Sequence, residues 1–254
     1  MPSFERAGLK LHYFDAGSGP PVLLLHGWGG RARRQWHHTI SGLQSSYHFY
    51  ALDLRGHGHS QEQDEPDYDW AELVADCEAL RELTDNERWM VVGYSFGAIV
   101  GLHYAARHPD RVTAVCAIAP MVLRKWAADL SRWFRWPMAW VLKVARSLPP
   151  ALSTKAVHNI AKTRLRTLFH TIDLMDAWKP KLTHIPASVP VIILLGENDR
   201  VARGEQAIAA ASKAEVRILP GAGHFPLWKD RHTLIPTLHD VLDTYAAPRT
   251  PEPV

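Results

Sequence analysis

Gly93, Tyr94, Ser95, Phe96 and Gly97 form a G-x-S-x-G pentapeptide. On its own the pattern is weak, but here it joins an apolar run from Trp89 to Val92, read as a strand, to an Ala- and aliphatic-rich stretch from Phe96 to Arg107, read as a helix. A strand that reverses directly into a helix is crowded. Glycines two residues either side of the serine remove side chains that would collide, and the serine Oγ is pushed into the open. A hydroxyl is a poor nucleophile at neutral pH, so it needs a base, and the base needs a third group to hold its tautomer. Histidine is the natural base, but the chain has 15 of them. His224 stands out because Gly221, Ala222 and Gly223 precede it, just after the last predicted strand. Asp199, in Gly196-Glu197-Asn198-Asp199, follows another predicted strand, Val189 to Leu195. All three groups then fall at the C-terminal ends of strands, where open α/β sheets place their sites.

The elements that must position them are legible as short apolar runs closed by Gly, Pro or Asp: Leu9 to Phe14, Pro21 to Leu25, Phe49 to Leu54, Trp89 to Val92, Val112 to Ile118, Val189 to Leu195 and Glu215 to Leu219. These read as strands. Between them, Asp67 to Thr84 repeats apolar residues at helical spacing with Asp67 or Asp69 placed as a cap, Phe96 to Arg107 ends ahead of Pro109, and Ala202 to Ser212 and Leu234 to Tyr245 complete the helices. Alternation of this kind predicts an α/β fold with a mostly parallel central sheet and helices on both faces. Residues 121–186 break the alternation: they show helical periodicity with no strand signal, and are expected to form a helical insertion over the sheet. The expected organisation is a core of residues 1–120 and 187–247, the insertion at 121–186, and a Pro-rich frayed tail at 248–254.

With these elements in place, the chain resembles the α/β-hydrolase family over nearly all its length outside the insertion. The resemblance rests on the elbow around Ser95, on the order Ser95, Asp199, His224, on the loop His26-Gly27-Trp28-Gly29-Gly30, and on the loop Asp53-Leu54-Arg55-Gly56-His57-Gly58-His59-Ser60. It implies Ser95 as nucleophile, His224 as general base and then acid, and Asp199 as the carboxylate orienting His224. The family pattern has proline three residues after this acid where this chain has Ala202, and Glu197 is the alternative acid. Two backbone donors must face the oxyanion of acyl transfer, and the resemblance assigns them to the N–H groups of Trp28 and Phe96, whose side chains would wall the acyl pocket. It gives His26 a supporting role rather than that of a second base. A single Gly ahead of Trp28 resembles the branch acting on medium or long acyl chains. Relatives that attack with an aspartate, the haloalkane dehalogenases and epoxide hydrolases, are excluded by Ser95 itself.

By the same resemblance the insertion is a cap over the site. It holds five of the ten tryptophans, among which Trp126, Trp133 and Trp140 are further pocket candidates. It also holds twelve Lys and Arg against three Asp, a local net charge of +9 that leaves −6 for the rest of a chain with +3 overall. Such helices could touch a lipid surface transiently, bury long acyl chains or receive an anionic leaving group, or simply pack and be solvated. The acidic remainder opposes a nucleic-acid track.

Composition fits this picture: 46% hydrophobic and 22% charged residues suit a globular domain. No apolar run reaches the roughly 18 residues of a spanning helix, the N-terminus resembles no secretory leader, and the expected location is cytoplasmic. Cys77 and Cys116 have neither disulfide nor metal-site spacing. No cluster of His, Asp and Glu suggests a metal, and Gly27 to Gly30 lacks the G-x-G-x-x-G dinucleotide spacing, so no metal or cofactor is expected. The expected function is that of a serine hydrolase, carboxylesterase- or lipase-like, cleaving small-molecule carboxylic esters with medium to long acyl or aromatic groups. Thioester, amide or carbon–carbon bond cleavage would use the same triad, and a receptor or scaffold of the same fold is the alternative outside catalysis. The sequence leaves the oligomeric state open.

Overall fold

The computed structural model describes residues 1–62, 69–120, 165–177, 185–199 and 213–247. Eight strands, β1 (Ser3–Arg6), β2 (Leu9–Gly17), β3 (Pro21–Leu25), β4 (His48–Leu52), β5 (Trp89–Tyr94), β6 (Val112–Ile118), β7 (Val191–Gly196) and β8 (Glu215–Leu219), form one sheet in the order β1-β2-β4-β3-β5-β6-β7-β8. β2 runs antiparallel to both β1 and β4, and every pair from β4 through β3 to β8 is parallel. The helices are α1 (Ala32–Gln35), α2 (His37–Leu43), α3 (Trp70–Leu83), α4 (Phe96–Arg107), α5 (Leu165–Ala177) and α6 (Arg231–Tyr245). This is the expected fold class.

Strands β5 and β7 are buried along their whole length. That is why they read as unbroken apolar runs: crossover helices cover both faces of a parallel sheet, and nothing selects for alternation. The chain steps one way across the sheet from β3 to β4 and the other way from β4 to β5 to β6. Right-handed crossovers therefore place α1 and α2 on one face and α3 and α4 on the other. In keeping with this, α3 packs on α4 and α2 packs on α6. The loops after β3 and β5 diverge where the direction reverses, and this opens a crevice at the C-terminal edge.

Of the two capping candidates for α3, Asp69 is the one in place, its carboxylate accepting the Glu72 N–H at 2.7 Å. Asp67 lies outside the described residues, as do the predicted helix at 202–212, Trp126, Trp133, Trp140 and the tail. Three elements escape the sequence reading. β1 is four residues with two charges and no apolar run, and it exists through pairing with β2. α1 and α2 are too short and too rich in Arg and His to show a helical stripe.

Candidate active site

Ser95 sits between the last residue of β5 and the first of α4 with φ 51° and ψ −110°, a backbone conformation that costs an L-residue on the order of 1–3 kcal/mol. The flanking glycines make it feasible. A Cβ on Gly93 would lie 2.3 Å from the Gly97 carbonyl oxygen, and one on Gly97 would lie 2.3 Å from the Leu25 oxygen and 2.5 Å from that of His26. The Ser95 N–H is tied to the Ile118 carbonyl at 2.9 Å. With its backbone anchored to the neighbouring strand, the side chain has one place to go: the crevice.

Across that crevice the His224 ring presents Nε2 at 3.5 Å from Ser95 Oγ, and its Nδ1 lies 2.9 Å from Asp199 Oδ2. The pairing with a carboxylate assigns the Nδ1 proton to the Asp199 side and leaves the Nε2 lone pair facing the hydroxyl. A serine–histidine distance at the loose end of hydrogen bonding is common in ligand-free sites. The Asp199 side chain is 2% exposed and that of His224 9%, so their interaction is weakly screened. Sequence reasoning left two acids open. Here Asp199 faces the ring, whereas Glu197 turns to the surface, where its Oε2 accepts the Gly221 N–H at 2.8 Å.

The loops carrying acid and base brace each other. Glu197 N–H donates to Leu219 O at 3.1 Å and Asn198 N–H to Ala222 O at 2.8 Å. The Asn198 amide also reaches Gly221 O at 3.2 Å. Gly196 allows the approach, since a Cβ there would stand 2.5 Å from Ala222 O. Tyr94, which no sequence signal singled out, completes the brace. Its hydroxyl donates to the His224 carbonyl at 2.8 Å, and its ring lies where a Cβ on Gly27 would meet it at 2.8 Å. Burial, and then the charge of Asp199, push the Tyr94 phenol far above its ordinary value, so it remains a donor. Phe225 and Trp228, also unforeseen, stand beside the His224 and Tyr94 rings.

The loop after β3 is pinned from below. Gly27 N–H donates to Gln35 Oε1 at 2.7 Å, and Gly27 O accepts the Gly30 N–H at 2.9 Å, closing a turn through Gly29 at φ 64°. His26, fully buried, accepts the Leu54 N–H on Nε2 at 3.1 Å, which leaves Nδ1 to donate to Gly27 O at 2.8 Å. Its environment disfavours the imidazolium, chiefly through burial, so the ring is a neutral structural link. Neither the Trp28 nor the Phe96 backbone N–H has a hydrogen-bond partner among the described residues. Phe96 is the first residue of α4, where an unsatisfied amide and the helix dipole both favour negative charge.

A second loop, after β4, backs the first. Asp53, 1% exposed, accepts the Ala32 N–H at 2.7 Å and the His59 N–H at 2.9 Å. Arg55 is fully buried and is matched by Asp76, through Nε to Oδ2 and one Nη to Oδ1, both at 2.7 Å, and by Glu72 at 2.9 Å. The His57 ring packs against His26 and Phe96, and burial holds its pKa down to about 3. Among the pocket candidates, the Phe96 ring is fully buried between His57 and Trp70, while the Trp28 side chain is half-buried. The described residues hold no cluster of three or more potential metal ligands.

Comparison with known proteins bears on the fold that carries this arrangement. Residues 20–186 match the family model for the alpha/beta hydrolase fold. A pimeloyl-[acyl-carrier protein] methyl ester esterase of Vibrio campbellii is 34% identical over 110 residues, 43% of this chain and 41% of the relative, so the similarity spans less than half of that esterase's length. Among solved structures, a carboxylesterase of Nitrososphaera gargenis superposes with a TM-score of 0.83 at 20% identity over 96% of this chain and 98% of its own. The enol-lactonase of Burkholderia xenovorans LB400 does so at 0.81 and 21%, over 95% and 100%. At such identities the structural likeness speaks to the fold, and the family match covers most of the chain. The chain belongs to the α/β-hydrolase fold family.

Proposed function

We propose that the protein is a cytoplasmic serine hydrolase that cleaves small-molecule carboxylic esters through an acyl-enzyme on Ser95. One observation carries this reading: the connected line Ser95 Oγ, His224 Nε2, His224 Nδ1, Asp199 Oδ2, at 3.5 and 2.9 Å, beside two backbone amides with no partner among the described residues. Ser95 Oγ passes its proton to His224 Nε2 and bonds to the ester carbonyl carbon. The oxygen gains negative charge and is met by the Trp28 and Phe96 N–H groups. The carbon–oxygen bond then breaks, and the departing alkoxide takes the proton from His224. Water repeats the sequence, giving its proton to Nε2 as its oxygen bonds to the acyl carbon, and the acid leaves as Ser95 recovers its hydrogen. Asp199 keeps the imidazole in the required tautomer and stabilises the imidazolium. The chemistry needs no cofactor.

The methyl ester esterase relative supports an ester over a thioester or amide, and the HGWGG loop supports medium to long acyl or aromatic groups. Residues 121–186 are assigned to the cap, of which α5 is the described part, and the core to 1–120 and 187–247. No helix among the described residues is long and apolar enough to cross a membrane. The test is covalent labelling by a fluorophosphonate followed by turnover of p-nitrophenyl esters of graded chain length, alongside thioesters and amides. Ser95→Ala is expected to lose the label and on the order of a millionfold in turnover. Undiminished turnover in Ser95→Ala would end the proposal; labelling without turnover of any substrate would favour a receptor.

A further inference from the structure

Trp28 has two N–H groups, and they face different parts of the molecule. The backbone N–H is unpaired among the described residues. The indole Nε1–H is shared between Thr171 Oγ1 at 2.9 Å and Leu168 O at 3.2 Å, both on α5. On either side of Trp28 the loop is fixed to the core, through Gly27 to Gln35 and His26 and through the turn to Gly30. The peptide plane between Gly27 and Trp28 is held at its carbonyl end, where Gly27 O accepts from the Gly30 N–H and from His26 Nδ1, so its tilt depends further only on the placement of the Trp28 end. That plane carries the Trp28 N–H, and a tethered indole limits its rotation.

The docking of α5 is itself polar. Thr167 and Thr171, one turn apart on the same helical face, are both fully buried. The Thr171 hydroxyl accepts from the indole, and that of Thr167 donates to Glu62 Oε1 at 2.6 Å, on the loop that follows Asp53. Leu168, Ile172 and Met175 supply the apolar part of the face. Each hydroxyl contact is weak in net terms, because water replaces it when the helix lifts. Such contacts orient the helix closely without adding much to its hold. A purely apolar contact at Trp28 would be indifferent to ring orientation; the shared indole bond is directional.

Resting on the assignment of Ser95 as nucleophile, we propose that Trp28 is a positioning residue through which the seating of α5 sets the oxyanion hole: the helix that binds the Trp28 indole also aims the amide that stabilises the transition state. A well-seated substrate under α5 then sharpens the donor geometry, whereas one that displaces the helix slackens it, so acyl-group selectivity appears in kcat as well as in KM.

The experiment compares Trp28→Phe, which keeps the backbone N–H and an aromatic ring, with Thr171→Val, which keeps the shape of the helix face, and with the double variant. The readouts are kcat and KM on the best p-nitrophenyl ester and affinity for a trifluoromethyl ketone analogue of its acyl part, which adds Ser95 Oγ and forms an oxyanion. Expected are about a tenfold fall in kcat for Trp28→Phe and about threefold for Thr171→Val, with KM within about twofold, matching losses in ketone affinity, and a double variant no worse than Trp28→Phe alone. If Trp28→Phe does not fold, Thr171→Val still carries the test through the parallel loss of kcat and ketone affinity. Variants in which kcat and ketone affinity hold within twofold, or in which KM alone moves, would overturn the coupling. Losses that multiply in the double variant would do the same. Ser95→Ala separates the two levels: if it retains turnover, the nucleophile assignment fails, and if it is inactive while the other variants behave like the parent, only the coupling fails.

Discussion

The two halves of the sheet's C-terminal edge are built differently. On the nucleophile side, the loops after β3, β4 and β5 rest on buried polar groups: His26, Asp53, Arg55 and Asp76 are all at most 1% exposed, and the bonds joining His26 to Leu54, Asp53 to Ala32 and Arg55 to Asp76 run 2.7–3.1 Å. On the base side, the loops after β7 and β8 hold each other through the Glu197 and Asn198 side chains at the surface and a few backbone bonds. Buried polar networks leave little room to relax, because any broken member is stranded away from water. Surface braces exchange with water at small cost. The nucleophile is thus the fixed point and the base the adjustable one, and the 3.5 Å between them spans the boundary of the two.

The largest effect expected from breaking this contrast is on turnover. Asp199→Ala removes the group that orients His224 and should lower kcat by about 10⁴, while Glu197→Gln, which keeps an acceptor for Gly221, should stay within about threefold. Steady-state kinetics decides it: comparable losses in both would mean that the acid is shared. The next effect is on stability. Asp76→Ala deprives buried Arg55 of two hydrogen bonds and Arg6 of a third, and should cost about 3–5 kcal/mol in urea unfolding, as stranding one member of a buried ion pair does. Asn198→Ala, on the surface brace, should cost about 1 kcal/mol or less. Equal destabilisation by the two would erase the distinction between the halves.

A smaller effect is a pH dependence to which the buried histidines behind the nucleophile contribute. Burial holds the His57 pKa down to about 3 and lowers that of His26. Unfolded histidines titrate near 6.5. Between those values the unfolded chain binds protons that the folded one does not, so stability is fully present above about pH 6.5 and falls as the pH drops towards 3. One such group contributes about 1.4 kcal/mol per pH unit. From pH 6.5 to 5 the carboxylates stay ionised and histidines dominate. His57→Gln should therefore flatten the urea-midpoint profile in that window, whatever it does to absolute stability; an unchanged slope would show that His57 is charged in the folded state or open to water.

Much of this was legible in the residues, and the parts that were not share a cause. The strands from Pro21 to Leu25 and Val112 to Ile118 and the helix from Phe96 to Arg107 fall where spacing placed them, because burial on both faces or the rigid chemistry of the elbow writes itself into local sequence; Glu215 to Leu219 does so as well, although it is a largely exposed edge strand. The elbow glycines were readable for the same reason: only their missing side chains let Gly97 lie against Leu25 and His26. β1 was not legible, since its order comes from a partner strand and from Arg6 binding Glu72 and Asp76 some 66 and 70 residues away. Spacing alone did not separate Asp199 from Glu197, two residues apart in one turn; the family resemblance favoured Asp199, and the physical choice depends on which carboxylate a loop 25 residues on brings within 2.9 Å. The roles of Tyr94 and of the Trp28 indole lie in contacts across 130 and 143 residues, and no spacing rule reaches that far.

Tyr94 offers the finest probe of the contrast, because it belongs to one half and holds the other. Its ring is packed beside the elbow and Gly27, yet its hydroxyl grips the backbone of His224. Tyr94→Phe keeps the packing and releases the grip, so the nucleophile should stay in place while the base loop gains freedom worth about 1 kcal/mol. A looser imidazole matters most where it must deliver a proton. The alkoxide of an alkyl ester cannot leave without one, whereas p-nitrophenolate leaves with little help. In Tyr94→Phe, kcat/KM should therefore fall about fivefold for an alkyl ester and less than twofold for the p-nitrophenyl ester of the same acid. Equal losses on both esters would place the defect in nucleophilic attack, and the serine would then be the adjustable partner.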